Sequence, residues 1–74
     1  MEITVRLYLT FRTGRHRTES HAYQVGVTAA EVARSLGIRD TDIGMVLVNN
    51  NQAELEQELV PGDTLSLFPL VGGG

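Results

Sequence analysis

Residues 27 to 37 carry a complete set of start and stop signals for one short helix. Thr28 is a good N-cap and Glu31 stands at N3, which completes a capping box. Val27 and Val32 occupy the N′ and N4 places where a hydrophobic staple closes. Ala29, Val32, Ala33 and Leu36 share one face by the i, i+3, i+4, i+7 rule. Gly37 supplies the left-handed residue that ends helices. The spacing predicts one amphipathic helix over residues 29–36, with a single stripe to bury.

The flanking segments read as strands. Ile3, Val5, Leu7, Leu9 and Phe11 point one way; Glu2, Thr4, Arg6, Tyr8, Thr10 and Arg12 point the other. That period of two predicts a strand with one buried face. Thr13-Gly14-Arg15 supplies a turn within a basic stretch (Arg12, Arg15, His16, Arg17), and a second run from Glu19 to Val25 returns as a hairpin. Ile43 to Val48 is nearly continuous in apolar residues, the pattern of a strand buried on both faces. Asn49-Asn50-Asn51 tolerates positive φ and turns the chain. Leu55 and Leu59, four apart among Glu54, Glu56 and Glu58, suggest a short helical turn or an irregular crossing. Pro61-Gly62 is a turn, and Thr64 to Phe68 alternates as the last strand, stopped by Pro69. The expected order is β-β-α-β-(β)-β, an α+β domain with the helix packed across one face of a sheet.

Composition narrows the function classes. The 74 residues make one small domain, and 42% apolar with 20% charged residues is globular composition. No run of apolar residues is long enough to span a membrane, and no secretory signal is visible at the start. There is no Cys, hence no disulfide, thiol nucleophile, zinc knuckle or iron–sulfur cage, which suits a cytoplasmic location. A net charge of −3 argues against a general nucleic-acid binder. All six basic residues are Arg, so Schiff-base chemistry, a lysine base and self-conjugation through lysine are excluded. A chain this short buries only about 60% of its unfolded surface and does not easily enclose a deep catalytic pocket. The expectation is a carrier, subunit or adaptor, not an enzyme. His16 and His21 have no carboxylate or Cys set to complete a metal site, so no metal ligands are assigned. Glu54, Glu56 and Glu58 read as a solvated acidic face, and the Arg12 to Arg17 loop as a contact for phosphate or an acidic surface.

The sequence ends in Gly72-Gly73-Gly74. At a background of about 7% glycine, a terminal triplet arises by chance in about one chain in 3,000. Glycine has no side chain, so such an end can thread a channel too narrow for any Cβ and present its α-carboxylate there. The residues after Pro69 reach about 17 Å, far enough to enter another protein's active site. Ordering them costs about 1–2 kcal/mol each, which docking contacts from the body must offset. Leu67-Phe68-Pro69-Leu70-Val71 runs apolar to the edge of the glycines and suggests that docking surface, with Leu67 better read as core.

The segment Leu59-Val60-Pro61-Gly62-Asp63-Thr64-Leu65-Ser66-Leu67-Phe68-Pro69-Leu70-Val71 before terminal glycines resembles the end of the MoaD/ThiS family of ubiquitin-like sulfur carriers. In length and element order the resemblance covers essentially the whole chain. It implies a β-grasp (ubiquitin-like) fold, a mixed four- to five-stranded sheet with one main helix on one face. The domain would span residues 1–69, with a flexible glycine tail over 70–74. Phe68-Pro69 looks more like the molybdopterin-synthase small subunit than the thiamin carrier. Leu70 departs from that branch, which often has a second proline there, and Gly72 stands where Ala or Ser is usual.

The resemblance further implies that an E1-like enzyme uses ATP and magnesium to adenylate Gly74, whose carboxylate then becomes a thiocarboxylate. Gly72 and Gly73 would allow the approach; Phe68, Pro69, Leu70 and Val71 would anchor docking. The chain itself would bind no cofactor or metal. Its partners would be the activating enzyme and a synthase large subunit or thiazole synthase, with no nucleic acid and no membrane. Two alternatives share the same features: a ubiquitin-like modifier conjugated through Gly74, and a non-catalytic β-grasp interaction module. The final sulfur acceptor stays open among a pterin, a thiazole precursor, another metal-cofactor branch and tRNA.

Overall fold

The computed structural model describes residues 1–12 and 17–70. The expected turn at Thr13-Gly14-Arg15, and Val71 to Gly74, lie outside the described residues. Among the described residues five strands and one α-helix follow in the expected order: β1 (Glu2–Leu7), β2 (Thr18–Ala22), α1 (Ala29–Ser35), β3 (Ile43–Val48), β4 (Asn51–Gln52) and β5 (Thr64–Pro69). The sheet order is β2-β1-β5-β3-β4. Strands β1 and β5 run parallel at its centre and the other pairs are antiparallel. This is a mixed β-grasp sheet.

The helix forms as its local signals dictate. Thr28 Oγ1 accepts from the Glu31 N–H at 3.2 Å, and Glu31 Oε1 accepts from the Thr28 N–H at 2.9 Å. The Ala29 and Ala30 amides, which no helical carbonyl can serve, donate to Gln57 O and Leu55 O at 3.0 and 2.9 Å. The Leu55–Leu59 segment is therefore an irregular crossing that closes the helix start, not a helical turn. At the other end the Gly37 N–H donates to Arg34 O and the Ile38 N–H to Ala33 O. With Gly37 at φ +77°, this is a Schellman stop.

Strand β1 ends earlier than its alternation suggests. Leu7 still donates its N–H to Arg17 O at 2.8 Å. Beyond it β2 offers no partner, because that strand begins at Thr18. The chain instead turns through a 3-10 segment, Leu9–Arg12. Leu9 takes φ +54° and is 59% exposed, so it does not continue the inward row, whereas Phe11 packs against the core from the turn. The hairpin return is likewise shorter than expected. The chain turns at Gln24 to Val27, with Gly26 at φ +92°, which leaves Val25 exposed at the tip.

One face of the sheet meets α1. Ile3, Val5, Val32, Ala33, Leu65 and Leu67 form the middle of that core, each at most 1% exposed. Strand β3 is buried on this face only. Val46 and Val48 face inward, whereas Gly44 and Met45 are exposed, so the expected burial on both faces does not hold. The reason is that a single helix covers a single side. Asn49 and Asn50 both take positive φ (52° and 69°) and make the two-residue β3–β4 hairpin turn.

The start of β5 is fixed by a polar knot. Asp63 is buried; its carboxylate accepts from the Val60 N–H at 2.9 Å and from Asn49 Nδ2 at 2.8 Å. Asn49 Oδ1 in turn accepts from the Thr64 N–H at 2.9 Å. Gly62, at φ +86° with open space around its α-carbon, is required by the turn's conformation and not by crowding. The knot fixes which residues of β5 face which side.

Candidate functional site

Alternation along β5 divides the expected docking stretch. Leu65 and Leu67 enter the core at 0% exposure, as read for Leu67, while Ser66 and Phe68 lie on the side away from α1. Register then assembles the outer face: Met45 of β3 pairs with Phe68, Leu47 with Ser66, and Arg6 of β1 with Ser66 from the other flank.

Just past β1, Tyr8 stacks on Phe68, with ring centroids 4.2 Å apart and planes 9° from parallel. The Arg6 and Arg17 guanidinium carbons stand 5.8 and 5.6 Å from the Tyr8 ring centroid, both within cation–π range. Among the described residues neither arginine forms an ion pair, and Arg6 Nε is buried without a hydrogen-bond partner. Arg34 and Arg39, by contrast, are each forked onto an aspartate, Asp40 and Asp42. The Asp40 hydrogen bond and charge raise the Arg34 pKa above its ordinary value. The outer face is thus an aromatic and thioether surface flanked by two arginines that pair with no acid among the described residues.

Pro69 and Leu70 lead from this face to the end of the chain. Pro69 is buried and pairs with Ile43; the Leu70 side chain is 63% exposed. The structure therefore splits the four expected docking residues. Phe68 is on the open face, Pro69 anchors the strand end, Leu70 is exposed at the exit, and Val71 lies outside the described residues. So do Gly72, Gly73 and Gly74, the expected threading and reactive positions.

Sequence reasoning missed Tyr8, Met45 and Leu47 as members of this face. The alternation of β1 did send Arg6 and Tyr8 outward, but which strand lies beside β1 is not written in a local pattern. Arg17 belonged to the expected basic loop, and its place over Tyr8 follows from the β1–β2 pairing.

The other candidates resolve simply. His21 Nε2 lies 2.7 Å from Glu19 Oε1, so it does have a carboxylate neighbour. Among the described residues no three of His, Cys, Asp and Glu cluster to hold a metal. His16 lies outside the described residues. Glu54, Glu56 and Glu58 are exposed, as a solvated acidic face requires. Among the described residues no helix is long and apolar enough to cross a membrane.

With this geometry in place, comparison with known proteins gives a consistent picture. A family model described as ThiS family matches residues 5–74. A search of curated proteins found no match. The solution structure of the Haloferax volcanii HVO 2177 protein is similar with a TM-score of 0.80 and 28% identity, over 100% of this chain and 87% of that one. Small archaeal modifier protein 1 of H. volcanii gives 0.76 and 23%, over 95% of this chain and 98% of that one. A chain in the complex of subunits 1 and 2 of molybdopterin-converting factor from Helicobacter pylori 26695 gives 0.67 and 20%, over 100% of both chains. At those identities the last two likenesses show the fold.

Proposed function

The chain belongs to the ThiS family, and from that premise we propose that it is a sulfur carrier whose Gly74 carboxylate is activated by an E1-like enzyme. The observation that carries the reading is the juxtaposition of a partly exposed aromatic face, built on Phe68, with an exposed residue, Leu70, only two positions further on. The body docks through that face, and the glycines deliver the terminus into the partner's site. Among the described residues nothing clusters as a metal site, and the reading assigns all acid–base and ATP-binding groups to the partner.

In the proposed reaction a Gly74 carboxylate oxygen attacks the α-phosphorus of magnesium-bound ATP, and pyrophosphate leaves. AMP makes the carbonyl carbon electrophilic, which a free carboxylate is not. The terminal sulfur of a donor persulfide displaces AMP to give an acyl disulfide. A second thiol of the donor system then attacks the other sulfur, forming a disulfide and releasing the Gly74 thiocarboxylate. The sulfur anion is the nucleophile that the next enzyme uses, because polarizable sulfur attacks more readily than the carboxylate oxygen it replaces.

Phe68-Pro69 favours molybdopterin-type over thiamin-type cofactor synthesis, with a synthase large subunit as the receiving partner. In the Helicobacter pylori complex a subunit 1 is bound to a subunit 2. The likeness to small archaeal modifier protein 1 gives a second reading, conjugation of Gly74 to an amine of a target protein. We place the protein in the cytoplasm, where activating enzyme, ATP and reduced thiols meet.

Intact mass after incubation with the E1-like enzyme, ATP, magnesium and a persulfide donor tests the reading. Exchange of one oxygen for sulfur is expected. A protein-sized adduct moves the assignment to the modifier, and an unchanged mass refutes both. Deleting Gly74, or placing Trp at position 73, should abolish the exchange and leave thermal stability unchanged.

A further inference from the structure

The geometry points to Gly44 as a positioning residue that, with the Asp42 carbonyl, aims the tail as it leaves the sheet. The inference rests on the carrier reading of the preceding section. It concerns residues that neither the sequence pattern nor that reading singles out.

The β3–β5 ladder slips between Ile43 and Met45. Ile43 pairs with Pro69 and Met45 with Phe68, so Gly44 is left over as a bulge. Gly44 is not among the glycines with positive φ, so backbone conformation does not call for glycine there. Space does. A Cβ at this position would stand 2.9 Å from Pro69 O, 3.0 Å from Leu70 Cα and 3.2 Å from Leu70 N. All three are backbone atoms, which cannot swing away as the end of a side chain could.

The same segment is also held by a hydrogen bond. The Leu70 N–H donates to Asp42 O at 2.9 Å. Asp42 closes the 3-10 turn Asp40–Asp42, and its carboxylate is engaged by Arg39 at 3.1 and 3.4 Å. The backbone at Leu70 is therefore set by two neighbouring groups of one segment, the Asp42 carbonyl and the bare Gly44 α-carbon, a bracket that leaves the residue 63% exposed. From this bracket Val71 to Gly74 reach about 13–14 Å. Holding the root at Leu70 limits the directions in which so short an end can be presented. A carrier that docks by one face and reacts at its last atom needs that limit, because small misplacements of a reacting group cost large factors in rate.

The test combines amide exchange with the kinetics of activation. In the wild-type protein the Leu70 amide should exchange at least about tenfold more slowly than in an unstructured peptide. In Gly44→Ala that protection should vanish while the amides of β1 and the first half of β5 keep theirs. With the E1-like enzyme, ATP and magnesium, pyrophosphate exchange by Gly44→Ala should lose about tenfold or more in kcat. Its KM should stay within about twofold, because the Phe68 face that sets docking is untouched. A Leu70 amide that is unprotected in the wild type, or a Gly44→Ala protein with wild-type exchange and kcat, overturns the inference. The wild-type measurement decides even where the variant fails to fold. A wild-type protein that is never adenylated refutes the carrier reading instead, and the Leu70 exchange result then judges the bracket on its own.

Discussion

The two faces of the central strand β5 do different work with neighbouring residues. On the inner face Leu65 and Leu67 are fully enclosed between β1, β3 and α1. On the outer face Phe68 stacks on Tyr8 and stays partly exposed. Inner contacts are enclosed; outer ones leave partly exposed aromatic surface beside two guanidiniums that, among the described residues, form no ion pair. The difference teaches that one alternating strand can hold the fold with one face and keep aromatic surface partly exposed on the other. The division is made by the period of two alone.

The sharpest way to break this contrast is Leu67→Ala. A cavity at a fully enclosed leucine costs about 2–5 kcal/mol, out of roughly 4–11 kcal/mol expected for a domain of this length. Urea unfolding should show the midpoint collapse, or no cooperative transition at all. If the loss were no greater than that of an outer-face truncation, the two faces would not differ as described.

The contrast was only partly legible in the sequence. Thr28, Glu31 and Gly37 announced the helix because capping is settled among residues three or four apart. Leu67 could be assigned inward, since it shares parity with Leu65. Phe11 packs inward as its spacing suggested, though from a 3-10 turn, whereas Leu9 could not be placed correctly, because its fate turned on where β2 begins and not on its own spacing. The run Ile43 to Val48 looked doubly buried because Met45 and Leu47 are as apolar as Val46 and Val48. The outer face they help build, the docking surface of our proposal, carries the same residue types as a core. Asn49 was legible as a turn residue, but its side-chain bonds to Asp63 and Thr64 join positions fourteen and fifteen apart. Gly44 gave no signal, since only the folded sheet brings Pro69 and Leu70 against it.

A second substitution sharpens the contrast from the other side. Phe68→Ala removes a half-exposed ring and one stacked aromatic pair, worth about 0.5–1.5 kcal/mol beyond the buried area. Stability should therefore fall by much less than in Leu67→Ala. Affinity for the activating enzyme should fall by about tenfold or more, as truncation of a central aromatic anchor does. Calorimetric titration beside thermal unfolding separates the two. Losses of equal size in binding and stability would return Phe68 to the core.

The smallest expected effect comes from the covered side, where Thr28→Ala should weaken the fold without touching docking. The substitution deletes the hydroxyl that accepts from the Glu31 N–H and donates to Glu31 Oε1, and leaves only the backbone half of the capping box, residue 28 N–H to Glu31 Oε1. Loss of such a cap costs about 1 kcal/mol, which in a domain of this size lowers Tm by about 4–8 °C. Because α1 packs on the face opposite Phe68, activation kinetics below the transition should be those of the wild type. Unchanged kinetics at a lowered Tm would show that stability and docking are separable across the sheet. A parallel fall in kcat or rise in KM would mean that the helix side communicates with the outer face, and that the two faces do not act independently.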